Sequence, residues 1–265
     1  MDLYSIASGS SGNCIYISSG NIRLLVDTGI SKKRIENGLA GIGVACDQLD
    51  GILVTHEHSD HIQGLGVMSR KYGIPIYTTQ GTWEGIQDCR SIGKVDLSLF
   101  RKIRPDESFY MEDLKITPFK TSHDANESVA FRFDDEARST AIATDLGVFD
   151  DYIVENLKNL DALMLEANHD VKMLEVGRYP YPLKQRILGE YGHLSNEASG
   201  KLLCRILTPR MRKILLAHLS KENNLPLLAN ETVRLEVELG DTPFSGREID
   251  LDVARREEPT PLIRL

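Results

Sequence analysis

Seven consecutive residues, Thr55-His56-Glu57-His58-Ser59-Asp60-His61, place three imidazoles and the carboxylate of Asp60 within six positions. Nitrogen and oxygen donors of this kind suit borderline divalent cations such as Zn²⁺ or Mn²⁺. His56 and His58, two apart in extended backbone, project to the same side and can share one ion. Asp60 and His61 lie past the bend and can turn toward a second. The competing reading is a polar surface loop that is rich in histidine by accident. It does not explain why the string follows directly on the apolar run GILV (51–54). A strand's end is where a loop can aim side chains inward.

The surrounding chain supplies further strand ends. IYIS (15–18), IRLLVD (22–27) and GILVT (51–55) are expected as strands, bounded by Gly, Ser and Asn. Residues 62–72 are expected as a helix and IPIYT (74–78) as the next strand. LKITPF (114–119), VAFRF (129–133) and STAIAT (139–144) read as successive strands of a second sheet. ALMLE (162–166) and KILLA (213–217) have the short apolar runs of buried strands. Residues 195–207 carry helical periodicity with Ser195 as N-cap. A last helix is expected over 225–239, with Pro226 in its first turn. EIDLDVA (248–254) reads as one more strand, and the tail over about 255–265 is expected to be loose. Two groups of strands with helices between and after them fit an αβ/βα sandwich.

The His-rich string is the signature of the metallo-β-lactamase superfamily, and the chain resembles its YycJ (WalJ) subfamily along nearly its whole length. The resemblance rests on S-G-S-S-G-N-C (8–14), L-L-V-D-T-G (24–29), T-H-E-H-S-D-H-I-Q-G (55–64), T-S-H-D (121–124) and A-T-D-L-G (143–147). It continues through E-A-N-H-D (166–170), K-Q-R-I-L-G (184–189), G-H-L-S-N (192–196) and A-H-L-S-K-E-N-N (217–224). It implies a four-layer αβ/βα sandwich, a single domain over 1–265, with two divalent ions (Zn, Mn or Fe). His56, His58 and His123 would hold the first ion, Asp60, His61 and His218 the second, and Asp145 would bridge them. Asp60 would also hold the nucleophilic water. Asp27, ending LLVD, resembles the carboxylate that orients a ligand imidazole; a plain turn aspartate is the other reading.

G-H-L-S-N-E-A, from Gly192, is similar to the stretch of the tRNA 3′-processing branch in which a histidine, paired with a glutamate, faces the scissile phosphate. On that resemblance His193 is a phosphate ligand and general acid, and Glu166 orients it. A histidine in a helix-capping loop is the alternative. His169 either contacts substrate or braces the loop after ALMLE. Other branches fit less well. The lactamases proper usually place Cys where Asp145 stands, and flavo-diiron proteins replace the position of His58 with Glu. Thioesterases of the glyoxalase II type share all seven ligands. His218 lies only 73 positions after Asp145, too close for the cap domain of the large nucleases.

The formal net charge is −8, which argues weakly against nucleic acid as a partner, since phosphate wants Lys and Arg. The charge is segregated, however. Residues 171–221 hold ten Lys/Arg against three Asp/Glu, a local +7 that leaves −15 for the rest. Such a face can steer a polyanion, or be solvated helix surface. Lys184, Arg186 and Lys201 are the candidate substrate contacts here, with Tyr179 and Tyr181 as stacking aromatics or packed loop residues. Ser10, in the Ser/Gly loop, can help cradle a phosphate or simply make a tight turn. The four cysteines are scattered and fit buried residues in a reducing compartment. No secretory start and no apolar run long enough to span a membrane is present, so a cytoplasmic protein is expected.

The resemblance therefore implies a metal-dependent phosphodiesterase, a 5′→3′ DNA exonuclease acting on duplex ends. Its rivals are a small-molecule hydrolase of a cyclic phosphodiester or thioester, and a non-catalytic metal-dependent module that binds nucleic acid or a partner protein.

Overall fold

The computed structural model describes all residues, Met1–Leu265. They divide into two compact units, the first made of Met1–Lys120, Ala125–Glu136 and Arg255–Leu265, the second of Thr121–Asp124 and Ala137–Ala254. No helix is long and apolar enough to cross a membrane.

The first unit begins with an antiparallel meander, β1 (Asp2–Ala7), β2 (Cys14–Ser19) and β3 (Ile22–Val26). Gly20, at φ 57°, makes the tight turn between β2 and β3. From β3 onward the connections lengthen and carry helices, which is what parallel pairing requires. α1 (Lys32–Ala40) leads to β4 (Gly51–Leu53); α2 (Ser59–Ile62) and α3 (Leu65–Tyr72) lead to β5 (Ile76–Thr78). α4 (Gln80–Asp88) leads to β6 (Phe100–Lys102), so β3, β4, β5 and β6 lie parallel in that order. The helices cover one face of this sheet. Ile35 and Leu39 of α1, Leu65 and Met68 of α3, and Trp83 and Ile86 of α4 pack in one core cluster with Leu25, Ile52 and Ile76. The unit also holds a second antiparallel meander, β7 (Phe109–Met111), β8 (Leu114–Lys120) and β9 (Val129–Asp134).

The helix expected over 62–72 is interrupted at Gln63 and Gly64, between α2 and α3. The cause is a close backbone approach. Gly64 N–H donates to Thr28 O at 2.7 Å, and a Cβ there would lie 2.4 Å from Ile30 O.

In the second unit, β10 (Ser139–Ala143), β11 (Ala162–Glu166), β12 (Lys213–Ala217) and β13 (Leu251–Val253) are parallel in that order. β10 and β11 are buried along their whole length, which explains the apolar stretches Ala141–Ala143 and Ala162–Leu165. α5 (Asp151–Leu157) crosses between β10 and β11. α6 (Val171–Val176), α7 (Tyr181–Leu188) and α8 (Asn196–Ile206) lie between β11 and β12, and α9 (Pro226–Leu239) between β12 and β13. Ser195 caps α8 by accepting from Ala198 N–H at 3.2 Å, as its sequence position implies. Pro226 opens α9, where a missing N–H costs nothing.

The C-terminal tail departs from expectation. β14 (Ile263–Arg264) pairs antiparallel with β1, completing the seven-stranded order β14-β1-β2-β3-β4-β5-β6. Thr260, 5% exposed, donates its N–H to Ser5 O at 2.9 Å, and Leu262 packs against the core. The exposed edge of β1 needed a partner, and the tail supplies it.

Candidate functional site

In the first unit the chemistry gathers at the carboxyl ends of β3 and β4. Asp27 follows β3 in a left-handed conformation, φ 61°, and is 1% exposed. Its carboxylate accepts from Thr55 N–H and Thr55 Oγ1–H, both at 2.9 Å, and from His61 Nδ1 at 2.7 Å. A carboxylate only accepts, so His61 Nδ1 carries the proton and Nε2 is the lone-pair nitrogen. The single Thr55 hydroxyl proton goes to Asp27. Thr55 Oγ1 therefore accepts from His56 Nδ1 at 3.0 Å, which makes Nε2 the lone-pair nitrogen of His56 as well. That Nε2 lies 3.1 Å from His58 Nδ1. His61 Nε2 lies 3.5 Å from Asp60 Oδ2.

The loop from Ser8 to Asn13 braces this motif from behind. Asn13 N–H donates to Asp60 O at 2.8 Å, and Gly29 N–H to Asn13 O at 2.7 Å. A Cβ on Gly29 would stand 1.6 Å from Asp60 O, so only glycine lets the two segments meet. Asn13 Nδ2 lies 3.2 Å from His61 Nε2. Ser10, in the same loop, is exposed. Neither Thr55 nor Asn13 stands out as a functional residue in sequence; an Asn at the end of a Ser/Gly loop was the one available signal.

In the second unit the ends of β10, β11 and β12 contribute Asp145, Glu166 and His218. Asp145 and His218 are again left-handed, φ 60° and 56°. Non-glycine residues held there cost energy and gather at working sites. Glu166, wholly buried, is the hub. Its Oε1 accepts from His193 Nδ1 at 2.8 Å and His218 Nδ1 at 2.9 Å. Its Oε2 accepts from Leu146 N–H at 2.9 Å and Leu194 N–H at 3.1 Å. Burial alone would push its pKa up, but the His193 charge and the hydrogen bonds from His193 and His218 outweigh it and hold the group below the usual carboxylate range. Ligand atoms of Asp145, Glu166, His193 and His218 all lie within 4.8 Å of one another. With Glu166 taken up by four donors, the Nε2 atoms of both histidines are the outward-facing nitrogens.

His123 follows the same rule. Its Nδ1 donates to Gly192 O at 3.1 Å, leaving Nε2 as the lone-pair nitrogen, 3.6 Å from Asp145 Oδ1. Four imidazoles, His56, His61, His123 and His218, thus have Nδ1 pinned to a carboxylate, carbonyl or hydroxyl, and Nε2 presented. The donor chemistry of both clusters fits a divalent metal ion.

The other expected residues are more scattered. His169 is 1% exposed, its Nδ1 3.3 Å from Asn168 Oδ1, and burial lowers its pKa to about 4. Asn168 Nδ2–H in turn donates to His218 O at 2.9 Å. Lys184 donates to Glu175 O at 2.7 Å. Arg186 makes a two-pronged ion pair with Asp124, one contact at 2.9 Å, beside His123. Lys201 is exposed on α8.

Known proteins share this plan. The family profile described as Beta-lactamase superfamily domain matches residues 22–218. Exodeoxyribonuclease WalJ of Streptococcus pneumoniae serotype 2 (strain D39 / NCTC 7466) is 44% identical over 231 residues, 87% of this chain and 86% of that protein. Exodeoxyribonuclease YycJ of Bacillus anthracis is 38% identical over 228 residues, 86% of each chain. Among solved structures, the metallo-beta-lactamase fold protein YhfI from Bacillus subtilis superposes with TM-score 0.69 over 98% of each chain at 19% identity, a likeness of fold. That fold is an α/β sandwich built on mixed sheets.

Proposed function

The chain belongs to the metallo-β-lactamase superfamily, and from that membership we propose that it is a metal-dependent 5′→3′ DNA exonuclease acting on duplex ends. Its kinship to two proteins named exodeoxyribonucleases supports DNA as the substrate. The observation that carries the hydrolytic chemistry is the set of strand-end imidazoles whose Nδ1 atoms are pinned and whose Nε2 atoms are presented.

In this reading His56, His58 and His123 would hold one divalent ion and Asp60, His61 and His218 a second, with Asp145 as a shared ligand, the ions being Zn, Mn or Fe. When bound, such ions supply Lewis acidity and a water nucleophile at neutral pH. Asp60, 23% exposed at its side chain, orients the attacking water. His193, 18% exposed, donates a proton from Nε2 to the leaving oxygen while Glu166 holds its Nδ1–H. Ser10, Lys184, Arg186 and Lys201 meet the phosphate backbone. Four cysteines without disulfides support a cytoplasmic setting. Both units are discontinuous or enclosed in the chain order, which supports one folding domain over 1–265.

The Arg186–Asp124 ion pair favours a second reading, a hydrolase of a small cyclic phosphodiester or thioester that needs no cationic track. A time course on a 5′-labelled linear duplex with Mn²⁺ separates the two. Short labelled products, slowed by charge reversal at Lys184, Arg186 or Lys201, support the exonuclease. An intact duplex, or turnover indifferent to those reversals, supports the small-molecule enzyme.

A further inference from the structure

β6 is an edge strand, paired only with β5. Beside it runs a groove of about 500 Å³, lined by Arg101, Lys102, Arg104 and Glu107 and floored by Tyr77 and Phe109. The two rings are parallel, centroids 5.6 Å apart and planes 3° apart, and both are only half-buried. Three cations within four residues stand out in a chain of net charge −8. Exposed cations alone would serve to keep an edge strand from pairing with another chain. That duty needs no aromatic floor, and the groove has the volume of a ligand site.

Its place in the sheet matters. β4, β5 and β6 are parallel neighbours, so their carboxyl ends share one edge, where α/β sheets bind ligands. The His56–His61 motif leaves β4 at that edge. Ile103 and Arg104 leave β6 there, Ile103 N–H bonding Thr78 O at 3.0 Å. Two strand spacings separate them, about 10 Å, roughly three nucleotides at the rise of one strand.

We propose that this groove is a nucleotide subsite for a strand of the nucleic-acid substrate, a base stacking on the Tyr77–Phe109 face and phosphates meeting Arg101, Lys102 and Arg104. Arg101 is pre-oriented: its Nη1 donates to Ser98 O at 2.8 Å and Phe100 O at 2.9 Å, which fixes the guanidinium plane. Arg104 is paired only with Glu107, at 3.3 Å, both side chains 64% exposed, a contact that a phosphate can replace at little cost. The inference rests on the nuclease reading for its occupant, not for its geometry.

The test is fluorescence anisotropy with a phosphorothioate-linked, single-stranded 12-mer and the metal-loaded protein, so that binding is read without cleavage. Arg101→Glu/Lys102→Glu should weaken binding at least tenfold and flatten its salt dependence. Phe109→Ala should weaken it about five- to tenfold with the salt slope unchanged, as loss of stacking predicts. Melting curves establish that each variant is folded. Unchanged affinity in the charge reversal overturns the proposal. So does poly-glutamate binding as tightly as the 12-mer with no effect of Phe109→Ala, which marks a bare cationic edge. A wild type that binds the 12-mer here yet cleaves no phosphodiester defeats the nuclease reading and leaves the subsite standing.

Discussion

Asp27 illustrates how much one carboxylate organises. It satisfies Thr55 N–H and Oγ1–H and sets the tautomer of His61, all out of contact with water. Asp27→Ala leaves those donors without their acceptor. Each stranded buried donor costs about 1–3 kcal/mol, and loss of an orienting partner lowers metal affinity roughly 10–100-fold. The metal-free variant should unfold at lower urea, and it should retain less metal on dialysis; unchanged retention would contradict the role given to Asp27. The string Thr55–His61 announces a metal site in sequence because its residue types are rare together. The Thr55 relay to His56 does not, since a threonine after a strand is ordinary until its hydroxyl partners are seen. Glu166 was legible only as a partner of His193; its simultaneous grip on His218 depends on two loops converging on the end of β11.

At the scale of elements, the candidate residues of each unit sit at strand ends, and Asp27, Asp145 and His218 there are left-handed. Strand ends were readable from apolar runs such as ALMLE and KILLA, which match β11 and β12 residue for residue. The left-handed backbone was not, because Asp and His occupy many ordinary turns. At position 218 the strain can be isolated. His218→Gly and His218→Ala both remove the imidazole, but only glycine tolerates φ 56° freely. The glycine variant should be at least as stable in urea, and by up to about 1 kcal/mol the more stable; an alanine variant more stable by the usual backbone-entropy difference would mean that the backbone carries no strain. Asp161, at the start of β11, supports a pH prediction. Burial opposes its ionisation, yet its bonds from Arg210 and Ser139 N–H, with the charges of Arg210 and Arg138, hold its pKa below the usual carboxylate value. The unfolded chain thus binds this proton more readily. The stability it contributes is present above about pH 4 and is lost as the pH falls below that. Asp161→Asn should flatten the acid limb of the stability profile. The tail makes a third case: its two-residue strand is too short to show periodicity, so pairing with β1 was illegible. Deleting 258–265 should lower the melting temperature by several degrees, and an unchanged melt would show that β14 contributes nothing.

For the whole molecule, charge arithmetic along the chain overstated the cationic face. Of the ten cations in 171–221, Arg186, Arg205, Arg210, Arg212 and Lys213 are paired with Asp124, Asp151, Asp161, Asp250 or Asp252. Every one of those acids lies outside the segment, where a local count cannot see it. The two strand groups and the sandwich class were legible because burial writes itself into apolar runs; short edge strands such as β6 and β7, with few buried positions, left no such trace. Under the proposed function, a metal held by the pinned imidazoles and the Glu166–His193 pair together hydrolyse DNA. The most direct measurement is single-turnover cleavage of a 5′-labelled duplex by wild type and His193→Ala, with metal content determined on the same samples. The wild type should release short 5′ products in a metal-dependent way, and the variant should lose roughly 10²–10⁴-fold in rate at undiminished metal content. Equal rates, or an intact duplex from fully metal-loaded wild type, would contradict the proposed function.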